Sequence, residues 1–171
     1  MAIITGGRTI GRQKHMFTYR GRNQTVVVPS DIRYMEVKIW GAGGGGERGV
    51  GPNCGGSGGY CGGKIDLENS SFVSTYGNLK GATLSVCVGR GGNQGQYRNV
   101  TNPNPFYGGG GKAQDHYNQA GSELGDGGGL SGIFLTSPYT APSNILNESG
   151  NYSANATLAQ TLAIAGGGGG A

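Results

Sequence analysis

Several short stretches carry residues whose type and spacing match known chemistry. Gly41-Ala42-Gly43-Gly44-Gly45-Gly46 fits the G-x-G-x-x-G pattern of a dinucleotide-binding turn and follows a strand-like run. That turn works only when its third glycine opens a helix whose N-terminus holds the pyrophosphate, with an acidic residue about 20 positions on. Here Glu47-Arg48-Gly49-Val50-Gly51-Pro52 follows, and two glycines and a proline open no helix of useful length. Gly111-Lys112-Ala113 matches the end of a phosphate loop, but Phe106 stands where its first glycine belongs and Ala113 where a Ser or Thr must reach magnesium. Asp115-His116 supplies half of an acid–base pair, with neither a G-x-S-x-G context nor a framed pair of carboxylates around it. No catalytic residue, no cofactor and no enzyme is expected.

The cysteines are Cys54, Cys61 and Cys87, an odd number and a poor disulfide framework. Cys54 and Cys61 flank a glycine-rich loop and could pair. Cys87 alternates with Val86 and Val88 and so falls on the opposite face of its strand. A metal site would require His15 or His116 to converge on them, and the spacing matches no zinc pattern. Aromatic residues offer a different chemistry, that of binding. Trp40 and Tyr60, Tyr76, Tyr97, Tyr107, Tyr117, Tyr139 and Tyr152 mostly stand beside glycine, asparagine and serine, the composition of adaptable binding surfaces. Tyr97, Tyr107 and Tyr117 are the candidates for surface binding.

The elements that must position these residues are short strands. Gln24 to Val28 is stopped by Pro29, which lacks the donor a ladder needs. Ile32 to Trp40 is the clearest strand, with Met35, Val37 and Ile39 on one face and Tyr34, Glu36, Lys38 and Trp40 on the other. Gly62 to Leu67, Leu84 to Val88, Leu130 to Leu135 and Leu158 to Ala165 complete the set. Five or six strands separated by turn chemistry predict an all-β fold, a small β-sandwich or partial jelly roll. Its core must be thin, because apolar residues make up 35% of the chain.

Glycine makes up 39 of 171 residues, and its runs are tied to strand ends. Met35-Glu36-Val37-Lys38-Ile39-Trp40 enters Gly41 to Gly46, Leu84-Ser85-Val86-Cys87-Val88 enters Gly89-Arg90-Gly91-Gly92, and Leu162-Ala163-Ile164-Ala165 enters Gly166 to Gly170. A flexible linker would scatter its glycines among Ser and Pro. Consecutive glycines can instead take the extended, three-residue-per-turn polyproline II form, whose backbone groups all point outward. Side by side, with no Cβ between them, such segments can bond to one another and offset the entropy lost in ordering glycine. Packed segments of this polyglycine II type are expected at Gly43, Gly44, Gly45 and Gly46, at Gly108, Gly109, Gly110 and Gly111, and at Gly166, Gly167, Gly168, Gly169 and Gly170.

Formal net charge is +4, unevenly spread. Arg8, Arg12, Lys14, Arg20 and Arg22 precede the first acidic residue, Asp31. Residues 1–22 therefore read as a basic arm without periodicity, and residues 23–171 as the glycine-rich β domain. Such an arm straps onto a neighbouring subunit or binds anions. Without interleaved aromatics or Gly/Arg repeats, nucleic acid is not the expected partner. No segment approaches the roughly 20 apolar residues of a membrane span, and Met1 to Arg8 has no apolar core of signal-peptide length, so synthesis in a cytosol is expected. Asn23, Asn69, Asn99, Asn147, Asn151 and Asn155 each begin an N-x-S/T triplet, read as loop chemistry in the absence of an export signal.

The junctions carry a resemblance. Val37-Lys38-Ile39-Trp40-Gly41-Ala42 with its glycine run, Gly58-Gly59-Tyr60, Leu84 to Gly92, and Ala163-Ile164-Ala165-Gly166 to Ala171 look like the glycine-rich domain of phage tail-fibre proteins. Similar domains occur in structural proteins of large DNA viruses. The pattern covers residues from about Thr18 to Ala171. A looser likeness is to the glycine-rich ectodomain of the anaplastic lymphoma kinase receptor group. The stretch from Ser122 to Gln160 is poorer in glycine than the pattern. The chain stops at pentaglycine-Ala171, where relatives continue, so a further C-terminal part is expected. The resemblance implies a capsid-associated, tail or fibre component of a virion, made in the host cytoplasm. Its partners would be other virion subunits, copies of itself included. The alternative is a host-binding adhesin that recognises glycan or receptor through its Tyr-, Asn- and Gly-rich loops.

Overall fold

The computed structural model describes residues 1–6, 13–46, 54–93, 108–110, 125–135 and 161–170. Among these the chain forms eight strands and one short helix: β1 (Ala2–Gly6), β2 (Gln13–Phe17), β3 (Gln24–Val27), β4 (Tyr34–Trp40), β5 (Tyr60–Asp66), α1 (Ser70–Tyr76), β6 (Thr83–Cys87), β7 (Ser131–Phe134) and β8 (Thr161–Ala165). They make two four-stranded sheets, ordered β2-β1-β4-β5 and β3-β6-β7-β8, with every neighbouring pair antiparallel. The fold is all-β, a small sandwich.

The alternation in β4 sets the core. Met35, Val37 and Ile39 are buried to within a few per cent, while Tyr34 and Lys38 are exposed. Facing them from the second sheet are Val26, Leu84, Val86, Val88 and Ile133, joined by Ile32, Leu67 and Leu79 from the connecting turns. β6 departs from simple alternation, because Ser85 and Cys87 are buried along with Leu84 and Val86. Two strand glycines are covered by an aromatic ring two residues away: Tyr60 folds over Gly62, and Phe134 over Gly132. The ring takes the space a glycine leaves on a pleated surface.

The described part of residues 1–22 is not an arm, because Ala2–Gly6 and Gln13–Phe17 are strands of the first sheet. β1 lies between β2 and β4, in register from Ala2 opposite Ile39 to Gly6 opposite Met35. Ala2 and Ile4 are core residues, and Phe17 of β2 is buried with them. The sequence Ala2-Ile3-Ile4-Thr5 is too short to reveal its period, and one of its two partner strands, β4, lies beyond β2 and β3 in the chain. Its pairings with β2 and β4 make it a strand.

Helix α1 was also hidden in the sequence. Asn69, at the head of an N-x-S/T triplet, caps it: its Oδ1 accepts from the Phe72 N–H at 3.0 Å. Gly77, at φ 76°, ends it through an N–H that donates to the Val73 carbonyl. Seven residues with no buried side chain leave no apolar stripe for a periodicity search to find.

Candidate functional site

The segments that continue the strands form the distinctive part of the molecule. Segment 41–46 prolongs β4, 54–59 leads into β5, 89–93 follows β6, 125–130 leads into β7, and 166–170 prolongs β8. Their hydrogen bonds recur every third residue. Gly41 and Gly44 donate to the carbonyls of Gly59 and Gly56, each at 2.9 Å. Gly129 and Asp126 donate to Arg90 and Asn93 at 2.8 and 2.9 Å. Both sets keep the register that β4–β5 and β6–β7 already have. A polyproline II chain rises about 3.1 Å per residue and a strand about 3.4 Å, so a pair passes from one form to the other without slipping. What changes is the turn angle. With three residues per turn instead of two, successive N–H groups point to different neighbours.

That change joins the two sheets. In the sandwich the sheets lie about 10 Å apart, separated by side chains, and share no ladder. In the glycine region Ala42 and Gly45, which continue β4, donate to Gly129 and Asp126, which lead into β7. Gly168 donates to Ala42, and Gly92 to Gly43. Gly56 and Gly59 donate to Gly169 and Gly166, linking the lead-in of β5 to the extension of β8. Gly128 donates to Gly168 inside the second sheet's continuation. Segment 41–46 is thus bonded to the extensions of both sheets.

Absence of Cβ is a steric requirement at most of these contacts. A Cβ on Gly41 or Gly44 would overlap the carbonyl of Gly166 or Gly169, and one on Gly58 or Gly55 would overlap Gly41 or Gly44. Gly125 and Gly128 press on Gly45 and Ala42, Gly167 and Gly170 on Gly128 and Gly125, and Gly168 on Gly56. The open positions follow the same period: nothing lies within 4 Å of a Cβ on Gly166 or on Gly169. Gly108, at φ 89°, needs glycine on two counts, since its backbone is left-handed and a Cβ would meet the Leu130 carbonyl at 2.6 Å.

Side chains fasten the bundle at two places. The buried Gly89 N–H donates to Oγ of Ser131 at 3.0 Å, at the junction where β6 ends and β7 begins. Arg90 and Asn93, three residues apart and so on one side of a three-fold helix, form a polar clasp. Nη2 of Arg90 donates to Oδ1 of Asn93 at 2.7 Å, and Nδ2 of Asn93 donates to Oδ2 of Asp126 at 3.1 Å.

The expected packing residues Gly43, Gly44, Gly45, Gly46, Gly108, Gly109, Gly110 and Gly166 to Gly170 all fall in described segments of this region; Gly111 lies outside the described residues. The runs at 89–92 and 127–129, strand-end tracts but not among the named packing positions, are bonded just as closely, as is segment 54–59. Gly55-Gly56-Ser57-Gly58-Gly59 carried a usable signal, a three-residue repeat with its one side chain at the exposed position. Of the basic residues, Lys14 is exposed on β2, and Arg20 and Arg22 are exposed on either side of Gly21, which turns at φ 66°. Arg8 and Arg12 lie outside the described residues, as do Tyr97, Tyr107, Tyr117 and His116.

None of Cys54, Cys61 and Cys87 is in a disulfide, so Cys54 and Cys61 do not pair. Among the described residues no three His, Cys, Asp or Glu side chains gather where a metal could sit, and no helix is long and apolar enough to cross a membrane.

Elsewhere the outer face of the first sheet carries most of the polar chemistry. Arg33 holds Asp66 through Nη2 at 3.0 Å, which lowers the Asp66 pKa below the ordinary carboxylate range, with help from the Glu68 N–H. Lys38 donates to Glu36 at 3.1 Å, and its own pKa is raised by that bond. The Met1 ammonium donates to the Trp40 carbonyl at 3.2 Å, and its partial burial lowers its pKa.

Neither a curated protein nor a solved structure gives a significant match to this chain. One family model does match, described as a glycine-rich domain, over residues 18–171. The match begins just after β2 and takes in every junction between strand and glycine segment. The chain therefore belongs to the glycine-rich domain family.

Proposed function

We propose that this chain is a structural protein of a virion, a capsid-associated, tail or fibre component that acts by assembly and surface display and catalyses no reaction. The observation that carries the reading is the bonding of Ala42, Gly45, Gly56, Gly59 and Gly168 across the two sheets' extensions. A thin core contributes little stability by itself. Cross-linking both sheets through backbone bonds gives a small domain the rigidity that a display element needs, without a larger core. The strand-to-glycine junctions resemble those of phage tail-fibre and large DNA virus structural proteins, and this supports the setting. Partners would be other virion subunits, including further copies of the chain.

The test is composition of the particle. Virions purified from infected cells should contain the chain at structural copy number by quantitative mass spectrometry, and labelled antibody should place it on the particle. Abundant protein in infected cells with none in purified particles overturns the reading.

A further inference from the structure

The first two strands form a unit that the rest of the domain receives along one edge. β1 pairs with β2 and joins both to β4, in a register from Ala2 opposite Ile39 to Gly6 opposite Met35. The family match begins at residue 18, so this unit precedes the matched domain. Its packing is uneven. Ala2, Ile4 and Phe17 are buried, but Gln13 and His15, on the same face as Phe17 by alternation, are exposed. They edge a cavity walled by Ile4, Val26, Val28 and Ile32, so the core is filled at one end of the unit and not at the other. Residues 18–23 tether the unit to β3, crossing from the outer strand of one sheet to the outer strand of the other. Thr18, Tyr19, Arg20 and Arg22 are exposed, and the chain turns at Gly21 with φ 66°.

We infer that the β4 edge is an interaction surface for a second copy of this chain, whose β1–β2 unit docks there in exchange for the first copy's own. The fit needs no new surface. The five-residue ladder to β4 and the burial of Ala2, Ile4 and Phe17 are contacts already made within one chain. Exchange of an identical element keeps them all and changes the conformation of the tether alone. A foreign strand would have to reproduce Ala2, fully buried opposite Ile39, whereas a second copy does so by identity. Six tether residues, fully extended, reach about 20 Å, enough to pass from β3 of one copy to β4 of a neighbour packed against it. The left-handed turn at Gly21 belongs to the closed tether, and opening releases it. The cavity beside His15 marks the unit as the less firmly packed part of the first sheet, the part most readily exchanged. A reciprocal exchange holds two copies together by two ladders and asks no further apolar surface of a thin core. The inference names a partner within the assembly role proposed above and rests on that reading for its setting. Its test is made on the purified chain, so its failure and that of the particle-composition test are separate results.

Ile3 and Lys38 stand directly opposite on the outer face, where paired Cα atoms are about 4.5–5.5 Å apart and a disulfide can form. Ile3→Cys and Lys38→Cys are made as separate full-length chains, unfolded, mixed, refolded together at high concentration and oxidised. Each carries one of the two introduced thiols, so a disulfide between them joins two copies. Peptide mass spectrometry should find that mixed bond in a species of twice the monomer's mass, well above either like-with-like bond. Gly21→Pro in both chains should raise its yield at least about fivefold, because proline excludes the closed turn. Absence of the mixed bond, while the Ile3→Cys/Lys38→Cys double variant closes its bond within single chains, overturns the inference. Equal yields of mixed and like-with-like bonds would show outer faces merely colliding, and overturn it as well.

Discussion

The N–H of Ala42 donates to the carbonyl of Gly129 at 2.9 Å, and with that bond the extension of β4 in one sheet is fastened to the lead-in of β7 in the other. Two layers of a sandwich ordinarily meet only through side chains. Here the last turn of each strand loses its side chains, the layers close on one another, and backbone bonding becomes three-dimensional. The Ala42 methyl is accommodated, whereas Gly41 and Gly44, one three-residue turn apart, admit no Cβ. Which residue may carry a side chain is set by the three-fold turn.

Substitution along segment 166–170 should therefore alternate in effect. Gly168→Ala puts a methyl into the Gly56 carbonyl and should cost about 1–3 kcal/mol, the range of overpacked cores, with Gly168→Val worse. Gly169→Ala, in open space, should lie within about 0.5 kcal/mol of the parent. Thermal or urea melts of the three variants decide the matter. Equal effects at Gly168 and Gly169 would show the segment to be a loop.

Amide exchange should follow the bonding. The N–H groups of Gly44, Gly45 and Gly168 donate to Gly56, Asp126 and Ala42, and should exchange together with the strand amides of β4 and β6. Exchange at random-coil rates at these three would contradict a packed bundle.

The first strand should matter as much as any core element. Ile4 is 4% exposed between β2 and β4, so Ile4→Ala should cost about 2–5 kcal/mol. Removing residues 1–12 should go further and prevent cooperative folding, because it strips β4 of one of its two partners, leaves β2 without any, and uncovers the core. A truncated chain with an unchanged melting curve would mean that β1 is dispensable after all.

Ser131→Ala should cost about 1–3 kcal/mol, since it leaves the buried Gly89 N–H without its acceptor. Denaturant titration of Ser131→Ala beside Ser131→Cys, which restores a weak acceptor, checks this. A cost below a few tenths of a kcal/mol in both would show that another group satisfies Gly89.

Arg33 and Asp66 should give a small acid dependence. Asp66 has its folded pKa lowered by the Arg33 hydrogen bond first and the Glu68 N–H second. Its contribution is thus present above the ordinary carboxylate range and lost as pH falls through the lowered value. Melting temperatures of the parent should exceed those of Asp66→Asn near neutral pH and converge with them in strong acid. A gap that stays constant across the range would assign the effect to packing.

The sequence by itself determined which segments could be strands and which residues could come close. Alternation in Met35, Val37 and Ile39 needs no partner to be read, because a strand's two faces are a property of its own backbone. The glycine runs were legible for the same reason: only residues without Cβ can form a close-packed extended bundle. Tertiary structure decided the pairings. β1 became a strand by lying between β2 and β4, pairings that four residues of weak period do not announce. The Trp40–Tyr60 pair and the shelter of Gly62 came from the β4–β5 register, which sets what stands opposite what. The assignment of each glycine to its neighbour, Gly168 to Gly56 and Gly41 to Gly166, depends on a rotation of one third of a turn per residue. Composition is blind to that angle, and only the packed bundle fixes it.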